Sequence, residues 1–515
     1  MKRVAVLALA LLAPVVAQAD DVAARLEALQ TERLRPLDFA PFQTALAALN
    51  LPPEADAFLK VAGIPDLQAA MMAGELSSET LTLWHLARIQ RLDDRLRGML
   101  ELNPAALDEA RAADARRAVG QSLGPLDGIP VSLKDNIGTA GPMHTTANAE
   151  VLFDNVAAED AALVAKLRAA GAVIIGKASL SEFAGSTASG YPSGGSGAVG
   201  GQGVNPLGPY PTEGSSSGSA ISVAAHFAVV SIGTETSGSL VAPAGVMSLV
   251  GMKPSAGLVS TNGVVPLVSG NDGPGPIARS VLDAALLLAA ADMVDVDYAA
   301  GLSADALTGE QVGVLIADTA RAGTMSGAAT RTGAALAMLG AEMVPVTLDD
   351  PTGAMAQFLV YLSGGMRHDM MPYVTAHNPA IVTLEDLIAY NQVDPARRIP
   401  FGQDLLELLA SQSADLSQEE YGRLSSDMIA AMTAVMEAAF AAHGGVEVLV
   451  GMANLQSPFY ATAGYPAITV PIGRNDAGEP IGVTLIGKKG QDAQLLAYAY
   501  AFEQATRARI PADLP

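Results

Sequence analysis

Hydrophobic positions along this chain switch between two periods. After Ser77-Ser78-Glu79, Leu81, Trp84 and Arg88 alternate with Leu83, Leu86 and Ile89 at three- and four-residue spacing. That spacing predicts a serine-capped amphipathic helix, with Trp84 in its core face. Residues 20–73 also read as helical, broken at Pro52-Pro53 and Pro65. Further on, short apolar runs alternate with helical patterns. Gly128 to Leu133 reads as a strand ending at Lys134. Asp160 is expected to cap a helix with the apolar face Leu163, Val164 and Leu167, closed by Gly171. Ala172 to Ile175 reads as a buried strand, residues 219–226 as a helix, and Phe227 to Ile232 as another strand. Val312–Ala317, Val446–Val450, Ala467–Ile472 and Val483–Ile486 are further strand candidates, and Asp492 to Arg507 reads as the last helix. Alternation of this kind, without a fixed-period repeat, predicts an α/β layer architecture around one large sheet.

The first residues stand apart. Lys2 and Arg3 precede an apolar run of about thirteen residues from Val4 to Val16, and Ala17-Gln18-Ala19 follows. A positive head, a short apolar core and an A-x-A ending form the layout of a secretory signal peptide, here cut after Ala19. The run is shorter than the ~20 residues that cross a bilayer, and no later stretch is read as a membrane span. The expectation is an exported protein, periplasmic or secreted.

Composition narrows the chemistry. Thirty basic residues against 53 acidic ones give a formal charge of −23. Cleavage after Ala19 would remove two bases and no acid, leaving −25. Such a field repels nucleic-acid phosphates and anionic lipid. With 50% hydrophobic and only 16% charged residues, the chain has the material for a large core. The absence of cysteine excludes thiol catalysis, thiolate metal sites and disulfide staples. The six histidines are scattered, with no H-x-H or H-x-x-x-H pair, so no metal site is expected.

Residues 185–219 are dominated by Gly and Ser, a composition that also suits a flexible linker. Interspersed Tyr191, Val199, Val204, Leu207 and Tyr210 call for burial, and the segment runs directly into a helix–strand unit. An ordered loop in which backbone closely approaches a ligand fits better.

Three motifs follow in order: Gly128-Ile129-Pro130-Val131-Ser132-Leu133-Lys134-Asp135-Asn136, then Gly214-Ser215-Ser216-Ser217-Gly218-Ser219-Ala220, then Gly233-Thr234-Glu235-Thr236-Ser237-Gly238-Ser239. Together with Gly251-Met252-Lys253-Pro254 and Gly464-Tyr465-Pro466-Ala467-Ile468-Thr469-Val470-Pro471, they resemble the blocks of the amidase signature family across roughly residues 70–510. The resemblance implies a large twisted mixed β-sheet covered by helices on both faces. It implies hydrolysis of a carbon–nitrogen amide bond through an acyl-enzyme, with Ser239 as nucleophile, Ser215 in a cis peptide as proton relay and Lys134 as base. The backbone amides of Thr236, Ser237, Gly238 and Ser239 would form the oxyanion hole, with Gly214, Ser216 and Gly218 supporting the loop. No cofactor and no metal are implied; the partner is a small-molecule or peptide amide. On this reading residues 1–19 are the signal peptide, 20–73 an N-terminal helical segment and 74–515 the amidase domain.

The chemistry of these residues is consistent with those roles. A serine hydroxyl needs an adjacent base, and no histidine lies near the motifs, so lysine is the simplest substitute. A lysine with an ordinary value of ~10.4 must be lowered by burial to serve, and the apolar run before Lys134 can bury it. Ser215 precedes a predicted helix whose N-terminal amides favour negative charge. The chain also departs from common members. Ser217 and Ser237 stand where glycines are frequent, Glu235 where Asp is frequent, and Leu240-Val241 where many relatives carry Ile-Arg. The missing arginine disfavours a carboxylate-bearing substrate, and the overall look is nearer the exported peptide-amidase-like members than the tRNA-dependent amidotransferase subunits.

Two other readings compete. Gly214-Ser215-Ser216-Ser217-Gly218 formally matches the G-x-S-x-G elbow of α/β-hydrolase esterases, with Ser216 attacking and His443 assisting. The residues before it, Gly208-Pro209-Tyr210-Pro211-Thr212-Glu213, do not suit the required strand. A non-catalytic periplasmic binding protein also fits the signal peptide and composition, but not an intact Lys134, Ser215 and Ser239. Phe358, Tyr361, Met366 and Tyr373, in the stretch expected to set specificity, are pocket candidates. Asn391, Gly402 and Gln403 lie in blocks resembling the same subgroup.

Overall fold

Alternation of side chains along each strand sorts the core into layers on either side of one sheet. The computed structural model describes residues 32–189, 194–315 and 322–515. The signal peptide read at residues 1–19, Tyr191 and Ala317 lie outside them. The strands are β1 (Met99–Leu102), β2 (Pro130–Lys134), β3 (Val173–Ala178), β4 (Ser196–Gly197), β5 (Gly201–Gln202), β6 (Val230–Glu235), β7 (Val250–Lys253), β8 (Gly273–Ala278), β9 (Gln311–Leu315), β10 (Glu342–Val346), β11 (Val448–Met452), β12 (Ala467–Arg474) and β13 (Pro480–Ile486). All but the small β4–β5 ribbon join one 11-stranded sheet in the order β1-β3-β2-β6-β8-β7-β12-β13-β11-β9-β10. β3, β2 and β6 run parallel, as do β11, β9 and β10, and antiparallel pairs fill the middle. The sheet is therefore mixed.

The two-residue period decides which side chains reach which layer. On β3, Ile174 joins one core cluster while Val173 and Ile175 join another. On β11, Val448 and Val450 face the first cluster and Leu449 a third. Helix α1 (Ser78–Leu96) and α2 (Ser217–Ala224) pack in the second cluster; α3 (Val241–Val246), α4 (Val281–Ala291), α5 (Phe358–Gly365), α6 (Gln418–Ala441), α7 (Ser457–Thr462) and α8 (Asp492–Thr506) complete the layers that concern the site. Ser77 caps α1 by accepting from the Thr80 amide, and Trp84 is buried with Nε1 donating to Asp56 at 2.8 Å. Residues 32–73 are not separate from this body: Leu59, Ile64, Leu67 and Met71 belong to the first core cluster.

Three expectations need correction. Asp160 does not cap the helix Ala162–Ala169; its carboxylate accepts from the Ala140 amide and from Arg168 instead. The strand candidates do not include β8, whose first four residues, Gly273-Pro274-Gly275-Pro276, form no apolar run. Its prolines lie where it pairs only with β6, and β7 pairs only with its last two residues, so few amide donors are missed. Among the described residues, the helix Gln418–Gly444 is also long and apolar enough to cross a membrane by length and hydropathy. Its Tyr421, Met428, Met432, Val435, Met436 and Phe440 are buried in protein.

Candidate active site

Lys134 is the last residue of β2, and its burial follows from strand parity. Val131 and Leu133 face the first core cluster, whereas Ser132 faces α2, its hydroxyl 2.7 Å from Ser222 Oγ. Lys134 shares that parity and is fully buried. Its Nζ donates to Ser215 Oγ at 2.7 Å, to Thr234 Oγ1 at 2.8 Å and to the Thr234 carbonyl at 3.1 Å. Asn136 Nδ2 donates to the same Thr234 hydroxyl at 3.0 Å. Among the described residues no carboxylate lies within ion-pair distance of Lys134. Burial therefore pulls its ammonium down to about 7, against the weaker opposing fields of Asp272 and Glu235.

Ser215 stands immediately before α2, and the Gly214–Ser215 peptide bond is cis. Its carbonyl accepts from the Ser181 amide at 3.1 Å. Ser216 is fully buried and committed: Oγ donates to the Thr234 carbonyl at 2.9 Å and accepts from the Thr234 amide at 3.2 Å, while its own amide donates to the Ser239 carbonyl at 3.2 Å. Gly218 sits in the first turn of α2, its amide donating to the Ser179 carbonyl at 3.0 Å. A side chain there would meet Ser179 backbone atoms at 2.3 Å. Ser219 lies inside the helix.

The turn that carries Ser239 joins β6 to α3. Glu235, the last residue of β6, bends back over it: Oε2 accepts from the amides of Leu240 at 2.7 Å and Val241 at 3.2 Å, and Oε1 accepts from Tyr460 Oη at 2.8 Å. Thr236 Oγ1 donates to Asp272, whose other oxygen holds the Leu267 and Val268 amides; burial pushes that carboxyl up to about 6. Ser237 Oγ lies 3.2 Å from Ser457 Oγ. Thus the ends of the turn and the side chains of Thr236 and Ser237 are tied. In contrast, the backbone amides of Thr236, Ser237, Gly238 and Ser239 donate to none of the described residues. Four adjacent free amides at a cavity wall are rare in folded proteins, where nearly all backbone donors are paired, and they suit a developing oxyanion.

Ser215, Ser237 and Ser239 line one cleft of about 970 Å³ including its open mouth. The Ser239 hydroxyl makes no hydrogen bond to a described residue. An apolar lobe of about 680 Å³ extends past Thr236, Ser237 and Ser239 to Leu267, Phe358, Leu359, Met366 and Leu409. Two of the four pocket candidates, Phe358 and Met366, therefore belong to the site. Tyr361 instead donates to Asn271 at 2.7 Å and Tyr373 hydrogen-bonds Asn155 at 2.9 Å, away from the lobe. Gly402 lines the cleft, and Asn391 Nδ2 donates to Gln403 Oε1 at 3.1 Å.

Sequence reasoning missed Glu182, whose carboxyl lines the cleft, accepts from the Ala198 amide at 3.0 Å and is pushed up to about 8 by burial. It also missed the Glu235–Tyr460 pair. His443 is placed far from a catalytic role: it is outside the cleft lining, with Nε2 2.7 Å from the Pro345 carbonyl. With Ser216 sealed as well, the esterase alternative loses both of its residues. No strand leads directly into Gly214 either, residues 203–213 being loop and turn.

A protein-family model described as Amidase matches residues 80–496. A probable amidase of Arabidopsis thaliana is 34% identical over 489 residues, covering 88% of this chain and 91% of the relative. The crystal structure of native peptide amidase from Stenotrophomonas maltophilia superposes with a TM-score of 0.81 at 38% identity, covering 88% of this chain and 98% of that one. An amidase family protein from Bacillus anthracis gives a TM-score of 0.81 at 32% identity, with 98% and 99% covered. The chain belongs to the amidase signature family, enzymes that hydrolyse carbon–nitrogen amide bonds.

Proposed function

We propose that this amidase works through Ser239, Ser215 and Lys134, on an amide whose acyl side is apolar. The observation that carries the reading is the 2.7 Å contact of Lys134 Nζ with Ser215 Oγ, made at full burial and without a carboxylate partner. A lysine held near 7 is partly neutral at physiological pH, the state a base requires.

Neutral Lys134 takes a proton from Ser215, which takes one from Ser239 as Ser239 Oγ attacks the scissile carbonyl. In the free enzyme the Ser239 hydroxyl is unbonded, so this last link forms as substrate settles, as often in unliganded sites. The four free amides from Thr236 to Ser239 receive the oxyanion. Ser215 returns a proton to the leaving nitrogen, and ammonia or an amine departs. Water then attacks the acyl-enzyme along the same relay and releases the carboxylic acid.

The lobe formed by Leu267, Phe358, Leu359 and Met366 supports an apolar acyl residue. Val241, in place of an arginine, supports a substrate without a free carboxylate at that point. Both features suit a peptide-amide-like substrate. Ser239→Ala and Lys134→Ala should each abolish turnover of an N-acylated, apolar amino-acid amide in folded protein; full activity in Ser239→Ala would overturn the assignment. The layout of residues 1–19 supports export. N-terminal sequencing of protein recovered from the periplasm or medium should begin at Asp20, and retention of Met1 would contradict it.

A further inference from the structure

A second apolar cavity, about 710 Å³ including its open mouth, adjoins the catalytic cleft, and the two share Glu213 and Asn454 as walls. Its lining includes Tyr210, Val241, Ala242, Val246, Met325 and Ile481. Three of these stand on α3, the helix that begins just after Ser239, so the cavity is rigidly coupled to the nucleophile.

Direction distinguishes it from the first lobe. The first lobe meets Ser239 from the side of Thr236 and Ser237, where the oxyanion amides lie, and Ser215 is not in its wall. The second opens past Glu213, two residues from Ser215 in the chain. On the triad reading, on which this inference rests, Ser215 protonates the leaving nitrogen, so that nitrogen lies on the Ser215 side of the carbonyl carbon. Glu213 and Asn454, common to both linings, are the residues that an amine substituent projecting onward would meet first. The Asn454 side-chain amide stands at that junction: a methyl group built on Gly238 would lie 2.9 Å from its Nδ2. It makes no hydrogen bond to any described residue, leaving donor and acceptor for a polar group beside the scissile bond.

We infer that this cavity is a leaving-group subsite for an aromatic or branched aliphatic substituent on the scissile nitrogen, with Asn454 positioning the linkage, so that the enzyme cleaves secondary amides as well as primary ones. The bond balance is ordinary hydrolysis. Ser239 Oγ–C forms as C–N breaks, the amine leaves with the proton from Ser215, and water completes the acid.

The test uses two substrates with one acyl group, N-acetylphenylalaninamide and N-acetylphenylalanine 4-nitroanilide, and fluorophosphonate labelling of Ser239 alongside. Wild-type enzyme should cleave both. Val246→Trp and Met325→Trp fill the cavity from two different helices, and each should lower the anilide-to-amide ratio of kcat/KM at least tenfold. Asn454→Leu should raise KM for the anilide with little change in kcat. An unchanged ratio in both tryptophan variants, or a wild type that cleaves the primary amide alone, overturns the subsite while Ser239 labelling keeps the triad. Loss of labelling in wild type overturns the triad reading and the subsite with it.

Discussion

Glu235 and Leu240 are joined across the nucleophile turn by a 2.7 Å hydrogen bond from the Leu240 amide to the Glu235 carboxylate. The bond closes a loop around the four residues whose amides stay free. A catalytic turn of this kind is defined by what is tied and what is left open. The ends of the turn and the side chains of Thr236 and Ser237 are satisfied by Glu235, Asp272, Ser216 and Ser457, so the free amides are held without spending their own hydrogen bonds.

Removing that tie should damage catalysis more than binding. Glu235→Ala should lower kcat by roughly 10²–10³, the scale of losing an oxyanion donor, with KM nearly unchanged. It should also destabilise the fold by about 1–3 kcal/mol, because the Leu240, Val241 and Tyr460 donors lose a buried acceptor. Steady-state kinetics and denaturant melts check both, and a variant that raises only KM would contradict the positioning role.

Lys134 sets opposite demands on activity and stability. Since its neutral form is the base, kcat/KM should fall as pH drops through about 7. Between about 7 and the ordinary value of 10.5, the unfolded chain holds a proton that the native state has lost, so this residue makes stability rise with pH across that window. Below it both states are charged, and the native state bears the full cost of burial. Lys134→Met should therefore abolish turnover and raise Tm at pH 6, with a smaller gain at pH 10. A lower Tm at pH 6 would show that the buried amine stabilises the fold.

Gly238 takes φ +81°, a conformation that favours glycine, and its Cα faces Asn454 and Ser457. Gly238→Ala should cost roughly 1–2 kcal/mol for the left-handed backbone and move the amides next to Ser239. The expected result is folded protein with kcat down at least tenfold. Wild-type kcat would place the oxyanion elsewhere.

Much of this was legible in the chain. Lys134, Ser215 and Ser239 stood out because three motifs occur together, and the strand carrying Lys134 read directly as an apolar run. Helix α1 was marked by its serine cap and period. Other features depend on neighbours distant in sequence. The first four residues of β8 form no apolar run, and only its partners make it a strand. Asp160 looks like a cap, but Arg168 and the Ala140 amide claim it. Phe358 and Tyr361 sit three residues apart on α5, and only packing sends one into the acyl lobe and the other to Asn271. Asn454 carries no local signal; its place beside Gly238 is a contact between loops distant in sequence.

The central claim is that Ser239 is the nucleophile and Lys134 its ultimate base. The most direct measurement is to treat the purified enzyme with a fluorophosphonate and locate the adduct by peptide mass spectrometry, in wild type and in Lys134→Ala. A single adduct on Ser239 is expected in wild type, forming faster as pH rises through about 7, with loss of labelling in Lys134→Ala. An adduct on Ser216, or labelling of Ser239 at full rate without Lys134, would contradict it.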